Sequence, residues 1–275
     1  MSEKIALTEV KETLLITLYA KARDSILPGS ALRDRWAAEA VSRIDYDFRK
    51  LAIDRDMKVG IALRAHIFDG YARDFLARHH EATVLHLGCG LDSRVFRIDP
   101  PPAVHWFDVD YPDVVELRRR LYPSRDGYTL VGTSVTDPAW LDGIPSDRPT
   151  LILAEGLLMY IDGDEVHALI DRLLARFRSG EIAFDCFSRS GLNLVQRHRS
   201  VRATGAVLRW SVENPREVEA AHPRLVLTGD LHAYDPTGYD PAQLARLSWQ
   251  ARTMAWVCRW VPSLRNISRI LRFRF

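Results

Sequence analysis

Apolar residues recur at helical spacing through the first eighty positions of the chain. Leu7, Val10, Leu14, Leu18 and Ala22 lie three and four apart, a stripe that predicts a helix over residues 6–25. Pro28 and Gly29 stop it. Two further helices are predicted over residues 31–44 and 57–79. From residue 82 the rhythm changes to short apolar runs: TVLHLGCG, AVHWFDVD, TLVGTS, PTLILAEG and GEIAFDCFS. Helical stretches fall between several of them, notably at residues 111–121 and 164–177. Strands alternating with helices predict an α/β fold, a mostly parallel sheet with helices on both faces. The unbroken apolar character of the runs fits strands buried on both sides.

Past Ser188 the pattern weakens, and residues 189–215 are basic and polar. RLVLTGDLHAY and ISRILRFRF predict two late strands, a closing antiparallel pair beside the parallel sheet. In the last of these, Ile270, Arg272 and Arg274 alternate with Leu271, Phe273 and Phe275, as in a strand with one buried face. Residues 1–275 are therefore expected to form one Rossmann-like domain. It has a helical cap over 1–80, a ligand-binding core over 81–188, and a substrate-side segment with closing strands over 189–275.

Composition narrows the function classes. Lys plus Arg number 38 and Asp plus Glu 36, so the net charge of +2 gives no reason to expect a nucleic-acid partner. The three Cys include no CxxC pair, which favours neither a disulfide framework nor a zinc site and fits a reducing compartment. The start MSEKIALTEVKETLL has early acids and no apolar core, unlike a secretory signal. No run reaches the roughly 18 apolar residues of a membrane span. A cytoplasmic protein without a membrane partner is the expectation. The seven Trp, among them Trp249, Trp256 and Trp260, fit either a core or an aromatic substrate pocket.

Candidate chemistry begins at VLHLGCGLDSR. A strand runs into Gly88-Cys89-Gly90, where glycine permits a tight turn and close approach of a ligand to the backbone. Asp108 and Asp110 end the next strand about twenty residues on, the spacing at which a carboxylate meets ribose hydroxyls. A dinucleotide site wants a third glycine, and Ser93 stands in its place. S-adenosylmethionine (SAM) has the ribose without the pyrophosphate, so these features favour it over NAD. The plain alternative is a turn that only connects strand to helix.

Two further residues stand out. LILAEGLLMY runs a buried strand directly into Glu155, at the strand end where open parallel sheets bind ligands. A carboxylate there must be paired; the partner is either a cationic group of SAM or a neighbouring arginine. Arg64 shares a helix face with Ile61, Phe68, Tyr71 and Phe75. It either snorkels to water or reaches inward to hold a carboxylate.

Together these residues resemble the leucine carboxyl methyltransferase-like family, in its tetracenomycin-type polyketide O-methyltransferase branch. The resemblance runs through ETLLITLYAKARDS, DYDF, ALRAH, LGCGLDSR, DVDYPDVVELRR, SVTDPAWLD, AEGLLMYI and RILRFRF, nearly the whole chain. It implies a class I SAM-dependent methyltransferase. It implies that Arg64 holds the SAM carboxylate, that Gly88 and Gly90 form the turn, and that Asp110 is the ribose acid. Ser134 and Val135 would contact the adenine end and Glu155 the amino-acid part. GCGLDSR departs from the common GAGLDTR only by small changes. Ser134 replaces the acid of the phosphatase-methylating relatives, which argues against that branch. Lys21 lies near a basic cofactor position of the same branch and is left unassigned.

Methyl transfer from SAM is an in-line displacement that gains chiefly from positioning. A carboxylic acceptor with pKa near 4 needs no base at neutral pH, whereas a phenol with pKa near 10 gains from one. No convincing base is readable: His86 sits on the first core strand and His66 off the Arg64 face. That absence leans toward a carboxylate acceptor and a methyl ester. Tyr160 either lines the acceptor pocket or packs the strand end. His198 either enters the site as part of a lid or lies on a solvated loop. The expected function is O-methylation of a small aromatic polyketide-type molecule. The competing readings are a protein C-terminal carboxyl methyltransferase, a SAM-binding protein without chemistry, and an NAD dehydrogenase. No motif encodes the acceptor's identity or the oligomeric state.

Overall fold

The structure is a computed structural model that describes residues 3–4, 9–197, 201–202, 205–235 and 237–275. The N-terminal stripe from Val10 onward forms α1 (Glu9–Ser25), the start predicted at residues 6–8 lying outside the described residues, and α2 (Arg35–Arg43) and α3 (Arg55–Arg78) follow. Asp34 caps α2 by accepting from Ala37 N, and Asp54 caps α3 by accepting from Met57 N. Two-residue strands β1 (Glu3–Lys4) and β2 (Ile44–Asp45) pair in parallel. Leu15, Leu18 and Ala22 of α1 pack with Ala37 and Ala40 of α2 and with Leu91, Leu117 and Tyr122. These two helices thus lie over the carboxyl side of the sheet. Much of α3 instead belongs to the sheet's own layer, where Phe68, Ala72 and Phe75 pack on Val84, Trp106 and Leu151.

The five apolar runs form β3 (Ala82–Leu87), β4 (Val104–Asp110), β5 (Tyr128–Gly132), β6 (Thr150–Ala154) and β7 (Gly180–Phe187). The late strands are β8 (Val226–His232) and β9 (Ser268–Arg274). The order is β5-β4-β3-β6-β7-β9-β8, with β9 antiparallel to both β7 and β8. The predicted antiparallel closure is present. Both Ile270 and Leu271 are buried, so β9 has two covered faces where the alternation predicted one. Arg272 stays close to the core because its Nε donates to Glu181 at 2.7 Å.

The connecting helices are α4 (Arg94–Ile98), α5 (Pro112–Leu121), α6 (Gly163–Arg176), α7 (Arg189–Gln196), α8 (Pro215–Ala221), α9 (Pro241–Leu244) and α10 (Trp249–Trp260). On the face opposite α3, Leu169, Ile170 and Leu173 of α6 pack on Ile152, Ile182, Phe184 and Phe273. The expectation that Trp249, Trp256 and Trp260 could build a core fails: they are 67%, 65% and 67% exposed on α10. That helix was not predicted, because its apolar side chains are spread around it rather than gathered on one stripe. No helix among the described residues is long and apolar enough to cross a membrane. The strand order reverses at β3, which has β4 on one side and β6 on the other, and this opens a crevice beyond the carboxyl ends of the parallel strands β3 and β6, the usual ligand position in such sheets.

Candidate active site

The crevice is built first by the glycine turn. Leu87 ends β3, and Gly88 and Gly90 follow at φ of 60° and 50°, in the left-handed region. A Cβ on Gly88 would come within 2.7 Å of Leu157 Cδ1, and one on Gly90 within 2.8 Å of Leu14 Cδ2. Gly88 N donates to Val109 O at 2.8 Å, which ties the turn to the end of β4. Ser93, at the position of the missing third glycine, is fully buried and donates to Asp34 Oδ1 at 2.6 Å. Its hydroxyl locks the turn to the cap of α2, a task that a larger or apolar side chain would not perform.

Hydrogen bonding separates the two aspartates of β4. Asp108 accepts from His86 Nδ1 at 3.1 Å, Trp106 Nε1 at 2.8 Å, Tyr128 Oη at 2.7 Å and Arg118 Nη2. Four donors fill the roughly four acceptor sites of a carboxylate. Asp110 accepts only from Gly90 N at 2.7 Å and Tyr111 N at 2.8 Å, one bond on each oxygen. It keeps the capacity to accept two more, as a ribose diol requires. Burial pushes its carboxyl up, against the pull of the two amides.

Glu155 follows β6 and is bound from three sides. Arg64 Nε donates to Oε1 at 3.0 Å, Arg94 Nη2 donates to Oε2, and Lys21 Nζ lies 3.8 Å from Oε1. Arg64 Nη1 also donates to Asp185 Oδ2 at 2.9 Å. Arg64 therefore reaches inward, and its Nη2 has no hydrogen-bond partner among the described residues. Lys21 Nζ is 2.7 Å from Asp92 Oδ2. Arg97 binds Asp34, Asp69 and Asp92, and Arg94 binds Asp69 at 2.8 Å. Arg94 Nη1 stands 2.8 Å from His86 Nε2. Arginine only donates, so Nε2 accepts and Nδ1 carries the proton toward Asp108; both ring nitrogens of His86 are satisfied.

Buried carboxylates on this scale persist because each has a cation beside it. Burial alone would raise Asp69, Asp92, Asp108 and Glu155. Neighbouring cations outweigh it, with Arg97 lowering Asp69, Arg94 lowering Asp92 and Arg118 lowering Asp108. Lys21, Arg94 and Arg64 hold Glu155 at about 2, below its ordinary 4.5. A carboxyl depressed on folding adds stability above its unfolded value and loses it as pH falls. Asp110 and Asp185 are raised by burial and act with the opposite sign, but they are fewer. The protein is therefore expected to destabilise as pH drops from 4.5 toward 2. Scanning calorimetry across that window checks it, and a constant melting temperature would contradict it.

Arg64, Gly88, Gly90, Glu155 and Tyr160 line one cavity of about 250 Å³. Asp110, Ser134 and Val135 are not in its wall. Asp110 adjoins it through Gly90, Ser134 Oγ lies 2.9 Å from Thr136 Oγ1, and the Val135 side chain is buried in the core. His198 lies outside the described residues. Lys21 and Asp92 also line the cavity, and Asp185 closes on it through Arg64. Their roles were not read from sequence. The available signal was the helical spacing of Leu14, Thr17 and Lys21, which puts all three on the cavity side of α1. The remaining wall is largely apolar, with Ile16, Met57, Ile61, Met159 and Phe187. A glycine cradle, a free-handed acid beside it and an Arg–Glu pair fit a nucleoside joined to an amino-acid zwitterion.

Comparison with known proteins agrees with this geometry. The family model for leucine carboxyl methyltransferase matches residues 13–126. The chain is 42% identical to the tetracenomycin polyketide synthesis O-methyltransferase TcmP of Streptomyces glaucescens, over 100% of both chains. It is 35% identical to the S-adenosyl-L-methionine-dependent methyltransferase dpfgK of Gibberella zeae, over 94% of this chain and 92% of that one. Among solved structures, a DUF574 family protein from Streptomyces avermitilis superposes with a TM-score of 0.61 at 16% identity, covering 91% of this chain and 98% of that one. The plantazolicin methyltransferase BamL, solved in complex with a triazolic desmethylPZN analog and SAH, gives a TM-score of 0.51 at 9% identity over 96% and 98%. These two likenesses concern the fold.

Proposed function

Since the chain belongs to the leucine carboxyl methyltransferase family and is a SAM-dependent methyltransferase, we propose that it methylates an oxygen of a small aromatic, polyketide-type acceptor. The observation that carries this reading is the full-length identity of 42% with an enzyme named for tetracenomycin polyketide O-methylation. The apolar wall of the cavity supports it, since Ile16, Met57, Ile61, Met159 and Phe187 suit a flat hydrophobic molecule.

The residues divide the task as follows. When bound, SAM supplies an electrophilic methyl carbon on a sulfonium. Gly88 and Gly90 bring the backbone close to it, and the two unused acceptor positions of Asp110 take its ribose hydroxyls. Ser134 and Val135 lie toward the adenine end. Arg64 Nη2 and the Lys21 ammonium attract the cofactor's carboxylate. Glu155, kept ionised by its cations, attracts the ammonium. The helices α1 and α2 cover this end and exclude water, the stretch from Ala82 to Phe187 carries the cofactor, and the later segment forms the acceptor side. Tyr160 lines the acceptor's approach.

The described wall of the cavity offers no histidine with a free ring nitrogen, because both nitrogens of His86 are engaged. This favours an acceptor that is already ionised, so the product is a methyl ester. The test has two stages. Calorimetric titration is expected to show SAM binding at about micromolar Kd, roughly 8 kcal/mol, and none for NAD. Aromatic carboxylic acids and phenols are then compared as acceptors across pH. A carboxylate acceptor gives a flat rate from about pH 6 to 9, while a phenol without a base gives a rate rising roughly tenfold per pH unit. Absence of SAM binding by folded protein overturns the cofactor reading. Methylation of phenols only, or of a protein C-terminus only, overturns the acceptor assignment.

A further inference from the structure

Beyond Arg64 the active-site cavity continues outward. A second cavity of about 300 Å³ shares Met57, Ile61, Arg64, Phe187 and Val195 with the first. Tyr234 is in its wall, and a third cavity of about 260 Å³ has Tyr234 in its wall too. Leu244, Leu247, Arg252 and Trp256 are in the wall of this outer space. Tyr234 is the one described residue that the second and third cavities share. The row therefore runs from the glycine turn past Arg64 and Tyr234 to the exposed aromatic face of α10.

Two unfavourable local choices meet at Tyr234. It has φ of 60°, a conformation that a bulky residue rarely adopts. Gly60, in the interior of α3, stands where most residues would serve the helix better. A Cβ on Gly60 would lie 2.6 Å from the Tyr234 hydroxyl, so the phenol ring rests against the helix only because that position is glycine. Among the described residues the hydroxyl has no hydrogen-bond partner. The ring of Tyr234 packs with Val59, Leu63, Tyr239 and Leu247, but its strained backbone, its unpaired hydroxyl and its place in the walls of two cavities point to a ligand-facing role as well. Trp256 at the outer rim is 65% exposed and offers its ring to whatever enters.

Building on the aromatic-acceptor reading above, we propose that Tyr234 is a specificity-determining residue that sets how far the acceptor extends. The outer cavity is then a subsite for the distal ring of a fused-ring aromatic acid. Trp256 gives that ring an aromatic face, and Arg252 meets an anionic or hydroxyl substituent. A one-ring acceptor is held by the inner cavities alone. A three-ring acceptor reaches past Tyr234.

The test uses the full chain saturated with S-adenosylhomocysteine and two probes, salicylic acid with one ring and anthracene-2-carboxylic acid with three. Calorimetry is expected to show the three-ring probe binding at least about tenfold more tightly, equivalent to roughly 1.4 kcal/mol. Trp256→Ala changes an exposed side chain, so the fold should survive. It is expected to remove that advantage while leaving salicylic acid within about twofold. Gly60→Ala, which displaces the Tyr234 hydroxyl, is expected to weaken three-ring binding by about fivefold or more, and Tyr234→Phe, which removes that hydroxyl, by about threefold or more; three-ring affinity unchanged in both variants overturns the role of Tyr234. S-adenosylhomocysteine affinity should be unchanged in all three variants. Equal three-ring affinity in wild type and Trp256→Ala, or failure of that probe to bind wild type, overturns the proposal. Loss of S-adenosylhomocysteine binding by wild type instead overturns the cofactor reading, so the two failures are distinguishable.

Discussion

Replacing Asp110 with alanine is expected to weaken SAM binding by about 100-fold or more. Hydrogen bonds to a charged acceptor contribute about 1.5–3 kcal/mol each, and a ribose diol would make two of them here. Asp108, two residues earlier on the same strand, cannot substitute, because its acceptor positions are filled by His86, Trp106, Tyr128 and Arg118. The substitution also strips the acceptor from the buried Gly90 N, which costs roughly 1–3 kcal/mol, and from the part-buried Tyr111 N. Asp110→Asn is the companion variant, since it keeps an acceptor for one amide while losing the charge. Titration calorimetry reads the affinity, and scanning calorimetry shows that each variant is folded. A dissociation constant within about threefold of wild type in folded Asp110→Ala would remove Asp110 from the cofactor site.

Arg94→Met is expected to cost the most stability of any single change at the site, about 3–5 kcal/mol. Arg94 is wholly buried and bonded to Asp69, His86 and Glu155, with Asp92 Oδ2 at 3.1 Å. Methionine fills part of the volume but leaves those carboxylates with fewer cations in a medium that solvates them poorly. A loss of this size lowers the melting temperature of a domain this large by about 10 °C. Glu155 also loses the group that fixes its Oε2, so SAM affinity should fall further than the folded fraction explains. If the melting temperature moves by less than about 3 °C, the buried charges compensate one another without Arg94.

Much of the fold was legible along the chain. The strands β3, β4, β6 and β7 are buried on both faces, so their apolar runs were unbroken and their ends abrupt, whereas β5 at the sheet edge is half-buried to exposed, against the expectation of two covered faces. The helices α3, α5 and α6 fell within two residues of their predicted ends. By contrast, α10 exposes Trp and Met and scatters its apolar residues among Gln250, Arg252 and Thr253, which gives no single stripe to read. The burial of Ile270 was hidden for a related reason. Alternation reports one face of a strand, and β9 is sandwiched between α3 and α6 packing layers.

The site divides in the same way. Gly88, Gly90, Arg64 and Glu155 could be picked out because each is out of place in its own element: glycines that end a strand, an arginine within an apolar stripe, a carboxylate at the end of a buried strand. Such local conflict is visible in one dimension. Which partner resolves it is not, since Arg64 and Glu155 are 91 positions apart, Lys21 and Asp92 71 apart, and Arg64 and Asp185 121 apart. The choice between Asp108 and Asp110 was equally beyond local reading, because it depends on how many donors from other elements crowd each carboxylate. The sequence by itself determined the strand-and-helix rhythm, the glycine turn and the kind of ligand it admits. Only the tertiary structure decided which acid is free, which cations hold Glu155 ionised, and where the cavity leads past Tyr234. Periodicity and local geometry are carried by neighbouring residues, whereas charge pairing and cavity shape arise where distant segments meet.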